Sequence, residues 1–432
     1  QEISILSYHP LGSLMVHLTD TDTALLTNTE GPALALAMRI VVETAKILGA
    51  PKLIPVASAH VDGCLYHGDS GVYFAERLVE LGGAVCVPTT LNVGALDLIH
   101  PDLVKFDDHS QAMAKRQMQA YLALKCQASW TCAPYQVGHR PVLGQDIAWG
   151  ESNAVVFANS VLGARTNRYG DLLDICLALV GRAPYAGLHI PENRHATLII
   201  DITQISSALK SSESFYPVLG SWLGKNVGSN VAAIIGLDDT IPEDRIKALG
   251  AGAASTGAVG LFHIVGQTPE APTLEAICSD IPSTSVLSPT TAEFKGVRDR
   301  LSKSSGNQLD CIAVGSPHFS HFESVALLDA LKGRKSQIPF YVCTNRFVLS
   351  KLEKDGRLAS LTAAGIEIVV DTCIAVAPIL QGNGGVMMTN SAKFAYYGPG
   401  NTGYKSVFGS LVDCAESAIA GQIIRDDRLW QT

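Results

Sequence analysis

The sequence predicts an α/β fold, with mostly parallel sheets flanked by helices and divided over two or three lobes. Three observations carry that reading. Short apolar runs recur without the polar-apolar alternation of a half-solvated sheet, which is what strands covered on both faces require. Segments with a helical apolar period fall between them, several opened by capping signals. The chain has 432 residues, more than one apolar core organises, so it must divide.

Taken in order, the first helix is read over "GPALALAMRIVVETAKILG" (31–49), where Leu36, Ile40, Val41 and Ile47 share a helical period and Gly49 supplies the stop. "KLIPVASAH" (52–60) follows as a strand, "GVYFAERLVELGG" (71–83) as a helix and "AVCVPTT" (84–90) as the next strand. Further strands are expected at "NAVVFANS" (153–160), "ATLIIDIT" (196–203), "NVAAIIGL" (230–237), "AVGLFHIVG" (258–266), "DCIAVGS" (310–316), "IPFYVCTN" (338–345) and "IEIVVDTC" (366–373). Helix starts between them are marked by the capping pairs Thr240 with Glu243, Thr290 with Glu293, and Ser320 with Glu323. The proline-rich stretch 266–290 is the expected boundary between a first region, 21–270, and a C-terminal region, 271–432, after a lead-in over 1–20.

Hydrophobic residues make up 47% of the chain and charged residues 17%, an ordinary globular balance. A formal charge of −8 without a Lys/Arg cluster argues against nucleic acid, because neutralising phosphates needs a basic face. No uncharged apolar run approaches the roughly 18 residues that span a bilayer, and the opening "QEISILSYHPLG" lacks a signal pattern. A cytoplasmic protein without membrane attachment, acting on a small molecule, is expected. The cysteines at 64, 86, 126, 132, 176, 278, 311, 343, 373 and 414 show no C-x-x-C pair and are expected to be reduced. Cys86, Cys176 and Cys414 sit inside apolar patterns and read as small buried hydrophobes.

Three corners line up in the last third of the chain. The runs ending near Ser316, at Cys343 or Thr344, and at Cys373 each close a strand on a small polar or sulfur-bearing residue. Carboxyl ends of parallel strands share one edge, where ligands bind, so these residues are expected to approach one another. Ser320 caps the following helix, which leaves free N–H groups near the Ser316–His318 turn and favours an anion or a thiolate cluster. An ordinary capped turn is the alternative. Polar loops at "SAHVDGCLYHGD" (58–69), "PTTLNVGALD" (88–97), "GESNAVVFANSVLGARTNRYGD" (150–171), "YAGLHIPENR" (185–194) and "TNSAKFAYYGPG" (389–400) crowd further candidates together, Glu151, Asn153, His189, Ser391 and Lys393 among them. Any single histidine there is more often a hydrogen-bonded structural group than a catalyst.

Those loop blocks, with "WTCAPYQ", "GSPHFS" and "VVDTC", resemble in order the large domain of the aconitase X family, from about residue 20 to the C-terminus. The resemblance implies an aconitase-like, multi-lobed architecture and an iron–sulfur hydro-lyase. Family members carry a small swivelling domain in the same polypeptide or bind it as a subunit. No second block follows residue 421, so that domain is expected as a partner chain or as a segment missing from this sequence. The archaeal-type mevalonate 5-phosphate dehydratases of the family have Gly-Cys-Pro-His where this chain has Ser316. That departure resembles the bacterial branch that dehydrates cis-3-hydroxy-L-proline to 1-pyrroline-2-carboxylate.

The resemblance further implies a cluster on Cys132 and Cys373 with Ser316 near or on the iron. A [2Fe–2S] form is expected, with [3Fe–4S] and [4Fe–4S] as alternatives, and a hydroxyl is the weakest of the three ligands. Iron would polarise the leaving hydroxyl. Ser391 with Lys393 is the expected base pair, His60 is its rival, and Ser58, Thr90, Asn92 and Asn390 are placed to grip the carboxylate and ring nitrogen. Two alternatives stand beside this reading: a mevalonate 5-phosphate dehydratase, and a non-catalytic subunit of the same fold. Retention of Cys132, Cys373 and Lys393 argues against the second.

Overall fold

Strands of two to nine residues, mostly continuous in their apolarity, assemble into parallel sheets in the computed structural model. It describes residues 15–237, 240–278, 281–380, 382 and 384–431, so most of the expected lead-in lies outside the described residues. A three-stranded parallel sheet orders Thr89–Leu91, Ala59–Val61 and Ala148–Trp149. A four-stranded parallel sheet orders Phe262–Ile264, Ala232–Ile235, Leu198–Asp201 and Ser285–Leu287. A five-stranded parallel sheet orders Ile366–Val369, Phe340–Thr344, Cys311–Phe319, Gly385–Thr389 and Tyr404–Phe408. The short pair Leu53–Pro55 and Arg182–Pro184 is antiparallel. The fold class is the α/β architecture that the sequence predicts.

Apolar packing joins the first and last of these sheets more closely than chain order suggests. Val61 and Ala148 of the three-stranded sheet share one core with Ala313, Tyr341, Val369 and Met387 of the five-stranded sheet. The four-stranded sheet has its own core, built around Ile200, Phe215, Ile234, Phe262 and Phe294. Its helix Glu243–Thr256 reaches across to the five-stranded sheet, where the buried Lys247 ammonium pairs with Asp244 and Glu323 and donates to the His318 carbonyl at 3.3 Å.

Most predicted elements are present, and the departures have local causes. "NAVVFANS" is a helix, Ser152–Phe157, continuing into a wider turn over Ala158–Leu162. An unbroken apolar run suits a fully buried helix as well as a strand, and Glu151, which caps this one, decides the matter. "KLIPVASAH" divides into two strands in different sheets, and the strand expected over 84–90 is displaced to Thr89–Leu91. Cys86 is therefore exposed in the approach to that strand, whereas Cys176 and Cys414 are buried as expected. The first predicted helix runs over Pro32–Ile47, after a short helix at Asp20–Leu26, but its buried face is Ala33, Ala37, Met38, Val41 and Ala45, which leaves Ile47 in solvent at the last turn. Thr290 and Ser320 form their capping boxes; Thr240 does not, because Pro242 delays the helix start to Glu243.

Candidate functional site

Two carboxyl edges supply the site. From the three-stranded sheet, the residues just past Val61, Leu91 and Trp149 are Asp62, Asn92 and Glu151. From the five-stranded sheet come Ser316, Cys343, the Cys373 loop and, in the first turn of the helix Ala392–Thr402, Lys393. Ligand sites of open parallel sheets lie at such edges.

On the ionic side, the Lys393 ammonium lies 2.7 Å from Glu151 Oε1; the Glu151 residue is buried and the Lys393 side chain is 14% exposed. Glu151 also caps its own helix by accepting the Asn153 N–H at 3.1 Å, and its other oxygen accepts from Asn92 Nδ2 at 3.1 Å. The same Asn92 amide donates to Asp62 Oδ1. Burial opposes the Glu151 charge, but Lys393 and the Asn153 donors outweigh it and bring its carboxyl below the usual range. Burial likewise opposes the ammonium, yet Glu151, Cys132 and Asp62 raise Lys393 above its ordinary value, so it stays protonated. Asp62 is pushed well up by burial and by Glu151, and behind it Asp174 reaches about 7 through burial while accepting the N–H groups of Asp62 and Gly63.

On the sulfur side, Cys373 is hydrogen-bonded to Cys343 and Ser316, and Cys132 lies close enough to be felt electrostatically by both cysteines. The Cys343 thiol, ahead of other causes, lowers the Cys373 pKa; burial pushes Cys132 up to about 12. Gly315 makes this approach possible: at φ +93, a Cβ there would stand 2.1 Å from the Cys343 carbonyl oxygen. His318 ties the cysteine corners together. Its N–H donates to Cys132 Sγ at 3.3 Å, Nε2 donates to the Thr372 carbonyl at 3.1 Å, and Nδ1 accepts from the Thr131 hydroxyl at 3.0 Å. Trp130 (φ +41) and Asp371 (φ +63), each two residues before Cys132 or Cys373, hold left-handed conformations. Such strain, about 1–3 kcal/mol each, is typical of functional corners.

The thiol-rich set of Cys132, Cys343, Cys373 and Ser316 is the donor chemistry that iron–sulfur groups take, and it fits one. Among the described residues no three His, Cys, Asp or Glu side chains stand grouped so as to hold a metal ion. Buried atoms without partners, His60 Nε2, Asn92 Oδ1, Asn153 Oδ1 and Thr372 Oγ1, belong to residues of these same corners. Buried polar groups are nearly always satisfied, so these four atoms are available to a ligand.

The structure brings Asn92, Lys393, Cys132, Cys373 and Ser316 to these two edges. Ser391 is there as a cap: its hydroxyl accepts from Phe394 N and donates to the Ser316 carbonyl. Asn390 bonds instead to Glu213 and lines a small cavity together with Ser316 and Ser391. Ser58, His60 and Thr90 form a separate hydrogen-bonded line with His139. Of the other loop residues, His189 is bound by Tyr169 and Asp146, and Asn159 by Thr166 and Gly260, as structural groups. The role of Glu151 as the partner of Lys393 and that of His139 escaped the sequence, since both arise from tertiary contacts.

Models of the aconitase X first, second and third domains match residues 15–192, 196–299 and 309–420. The cis-3-hydroxy-L-proline dehydratase of Hypocrea jecorina is 38% identical over 414 residues, 94% of this chain and 69% of that protein. Its namesake from Pseudomonas aeruginosa is 39% identical over 406 residues, 93% and 70%. The phosphomevalonate dehydratase large subunit of Methanocaldococcus jannaschii is 33% identical over 403 residues, 92% and 98%. A solved structure of Thermococcus kodakaraensis aconitase X in its holo form superposes with a TM-score of 0.84 at 32% identity, covering 93% of this chain and 100% of that one.

Proposed function

The chain belongs to the aconitase X family of dehydratases, and from that premise we propose that it is an iron–sulfur hydro-lyase converting cis-3-hydroxy-L-proline to 1-pyrroline-2-carboxylate. The observation that carries the substrate is the charge of the site. One largely buried cation, Lys393, stands beside Glu151 and Asp62, with Asp174 behind them. A zwitterionic amino acid suits that balance, its carboxylate against the ammonium and its ring ammonium against Glu151, the carboxylate that stays charged. A phosphate ester that also carries a carboxylate demands a cluster of cations. The identities to the two hydroxyproline dehydratases point the same way.

Cys132 and Cys373 would hold the cluster, with Cys343 and Ser316 beside them, and the expected form is [2Fe–2S]. Bound there, it supplies Lewis acidity for the 3-hydroxyl. Lys393 orients the carboxylate. His60, neutral and with Nε2 unpartnered, takes the C2 proton; the electrons of that C–H bond form the C2=C3 bond as the C3–O bond breaks. The Asp62 carboxyl, which burial and Glu151 keep protonated, gives the departing oxygen its proton, so that it leaves as water. The enamine then tautomerises to the product. Lys393 is poorly suited to be the base, since its partners hold it protonated, and the Ser391 hydroxyl is engaged with two backbone groups. A small second domain or subunit completes the enzyme in this reading, as the name "large subunit" among the relatives supports. Among the described residues no helix is long and apolar enough to cross a membrane, in keeping with a small-molecule enzyme of the cytoplasm.

The test is turnover by the anaerobically purified protein, with and without a small partner, on cis-3-hydroxy-L-proline and on mevalonate 5-phosphate. We expect dehydration of the hydroxyproline alone. Turnover of the phosphate ester without the hydroxyproline overturns the assignment.

A further inference from the structure

We propose that His60, Thr90, His139 and Ser58 form a proton relay that carries the substrate's α-proton out of the site, with Thr90 and His139 as positioning residues for His60. The proposal rests on the dehydratase reading above. Its basis is an unbroken line of side-chain hydrogen bonds: His60 Nδ1 to Thr90 Oγ1 at 2.8 Å, Thr90 Oγ1 to His139 Nδ1 at 2.7 Å, and His139 Nε2 to Ser58 Oγ at 2.8 Å. Its inner end is His60 Nε2, fully buried and without a partner. The middle of the line, Thr90 and His139, borders a cavity of about 520 Å³ that also includes Gln127, Ser129 and Arg346, and Ser58 at the outer end is 8% exposed. The Trp149 ring, 5.5 Å from the His60 ring and 5.1 Å from that of His139, fixes both imidazoles.

A hydroxyl between two imidazole nitrogens has one proton to give, so it donates to one ring and accepts from the other. The line therefore has two states. In the receptive state His60 Nδ1–H donates to Thr90, Thr90 donates to His139 Nδ1, and His139 Nε2–H donates to Ser58. His60 Nε2 is then bare. When the C2 proton arrives at Nε2, the Nδ1 proton passes to Thr90, the Thr90 proton to His139 Nδ1, the His139 Nε2 proton to Ser58, and the Ser58 hydroxyl proton to water. One proton enters and one leaves, and each imidazole changes tautomer, its ring double bonds shifting while no bond between heavy atoms is made or broken. The line resets after product release: a proton from water re-enters through Ser58, the shifts run backwards, and His60 Nε2 hands its proton to water in the vacated site.

This arrangement resolves a difficulty in using His60 as a base. Burial, with His139 nearby, lowers its pKa to about 3, and burial lowers that of His139 to about 4, so an imidazolium at either position is costly. A concerted shift keeps both rings neutral throughout. Thr90 cannot both bridge the two imidazoles and grip a substrate with the same hydroxyl proton, and at 2.7 and 2.8 Å it is committed to the bridge.

The relay is tested on the intact protein with Thr90→Val, Thr90→Ser and His139→Ala. Nitrogen-15 shifts of the histidine rings report the line without substrate: Thr90→Val should shift His60 and His139 together, whereas Thr90→Ser should leave both near their parent values. In turnover, Thr90→Val should lower kcat about 100-fold at unchanged KM, the range of general acid–base contributions, and Thr90→Ser should restore most of it. His139→Ala should recover at least tenfold when imidazole is added, since the adjoining cavity admits it. A raised KM at unchanged kcat in Thr90→Val makes Thr90 a substrate grip and overturns the relay, as does a His139→Ala enzyme indifferent to imidazole or a Thr90→Val spectrum identical to the parent. If the parent rejects the hydroxyproline, the substrate assignment falls, and the same variants on whichever dehydratase substrate it accepts still decide the relay.

Discussion

The four-stranded and five-stranded parallel sheets are built alike, yet their carboxyl edges differ in kind. At the end of Leu198–Asp201, the Asp201 carboxylate accepts the N–H and hydroxyl of Thr203 two residues on; beyond Ala232–Ile235, the Gly236 carbonyl accepts from Lys210. These groups close on local partners. The edge of the five-stranded sheet instead faces that of the three-stranded sheet, and Ser316, Cys343, Cys373 and Lys393 find their partners across chain separations of up to 242 residues. A strand edge becomes a site where its polar groups are buried and cannot satisfy themselves locally. The four-stranded sheet contributes a buttress, with Lys247 on the His318 carbonyl.

The most severe way to break this contrast is at the sulfur corners. Cys132→Ala and Cys373→Ala should each abolish iron content and turnover while the protein still folds, because each change removes a single sulfur atom from the core that both residues line. Metal analysis and visible absorption of the anaerobically purified variants give the answer. Full iron in both would remove the sulfur half of the site; Cys86→Ala, in solvent, should change neither measurement.

Next in size is the ion pair. Lys393→Met should cost at least about 10³-fold in kcat/KM by removing the cation that orients substrate, and about 3–5 kcal/mol of stability by leaving Glu151 charged, buried and unpaired. Adding Glu151→Gln should restore most of the stability and none of the activity, as thermal melting and steady-state rates on the pair would reveal. Recovery of both would reduce the pair to a structural brace.

How much of this was legible in the sequence follows the same division. The meeting of Ser316, Cys343 and Cys373 could be anticipated because parallel strands must share an edge, and their order needs only strand periodicity and turn residues. The opposing sheet could not. Glu151 reads as one polar residue among several in its loop until the helix Ser152–Phe157 exposes it as a cap, and that helix looks like a strand when only apolarity is counted. His139 carries no local signal at all; its partners Thr90 and Ser58 lie 49 and 81 residues away. His318, read as part of a turn, is the brace between Thr131 and Thr372.

Ser316→Cys sharpens the comparison with a smaller effect. A third thiolate placed beside Cys373 should bind iron more strongly, shift the visible and paramagnetic-resonance spectra toward a larger cluster, and lower turnover about tenfold by occupying an open position. Spectra and rates equal to the parent would leave the corner as an ordinary capped turn.

The smallest effect belongs to the other edge. Asp201 holds the same place in its sheet as the functional corners hold in theirs, and the Thr203 hydrogen bonds keep its carboxyl below the ordinary range. Since the group is largely in solvent, its charge contributes little, and the asparagine oxygen can still accept from Thr203. Asp201→Asn should therefore leave iron content and turnover within about twofold and stability within about 0.5 kcal/mol, the usual scatter of surface substitutions. Whatever small contribution the charge makes is present above the unfolded pKa and lost as pH falls through the lowered folded value, so any difference between parent and variant should shrink on acidification. A tenfold loss of turnover at neutral pH, with iron retained, would mean that the edge of the four-stranded sheet also reaches the substrate, and the contrast between the two sheets would fail.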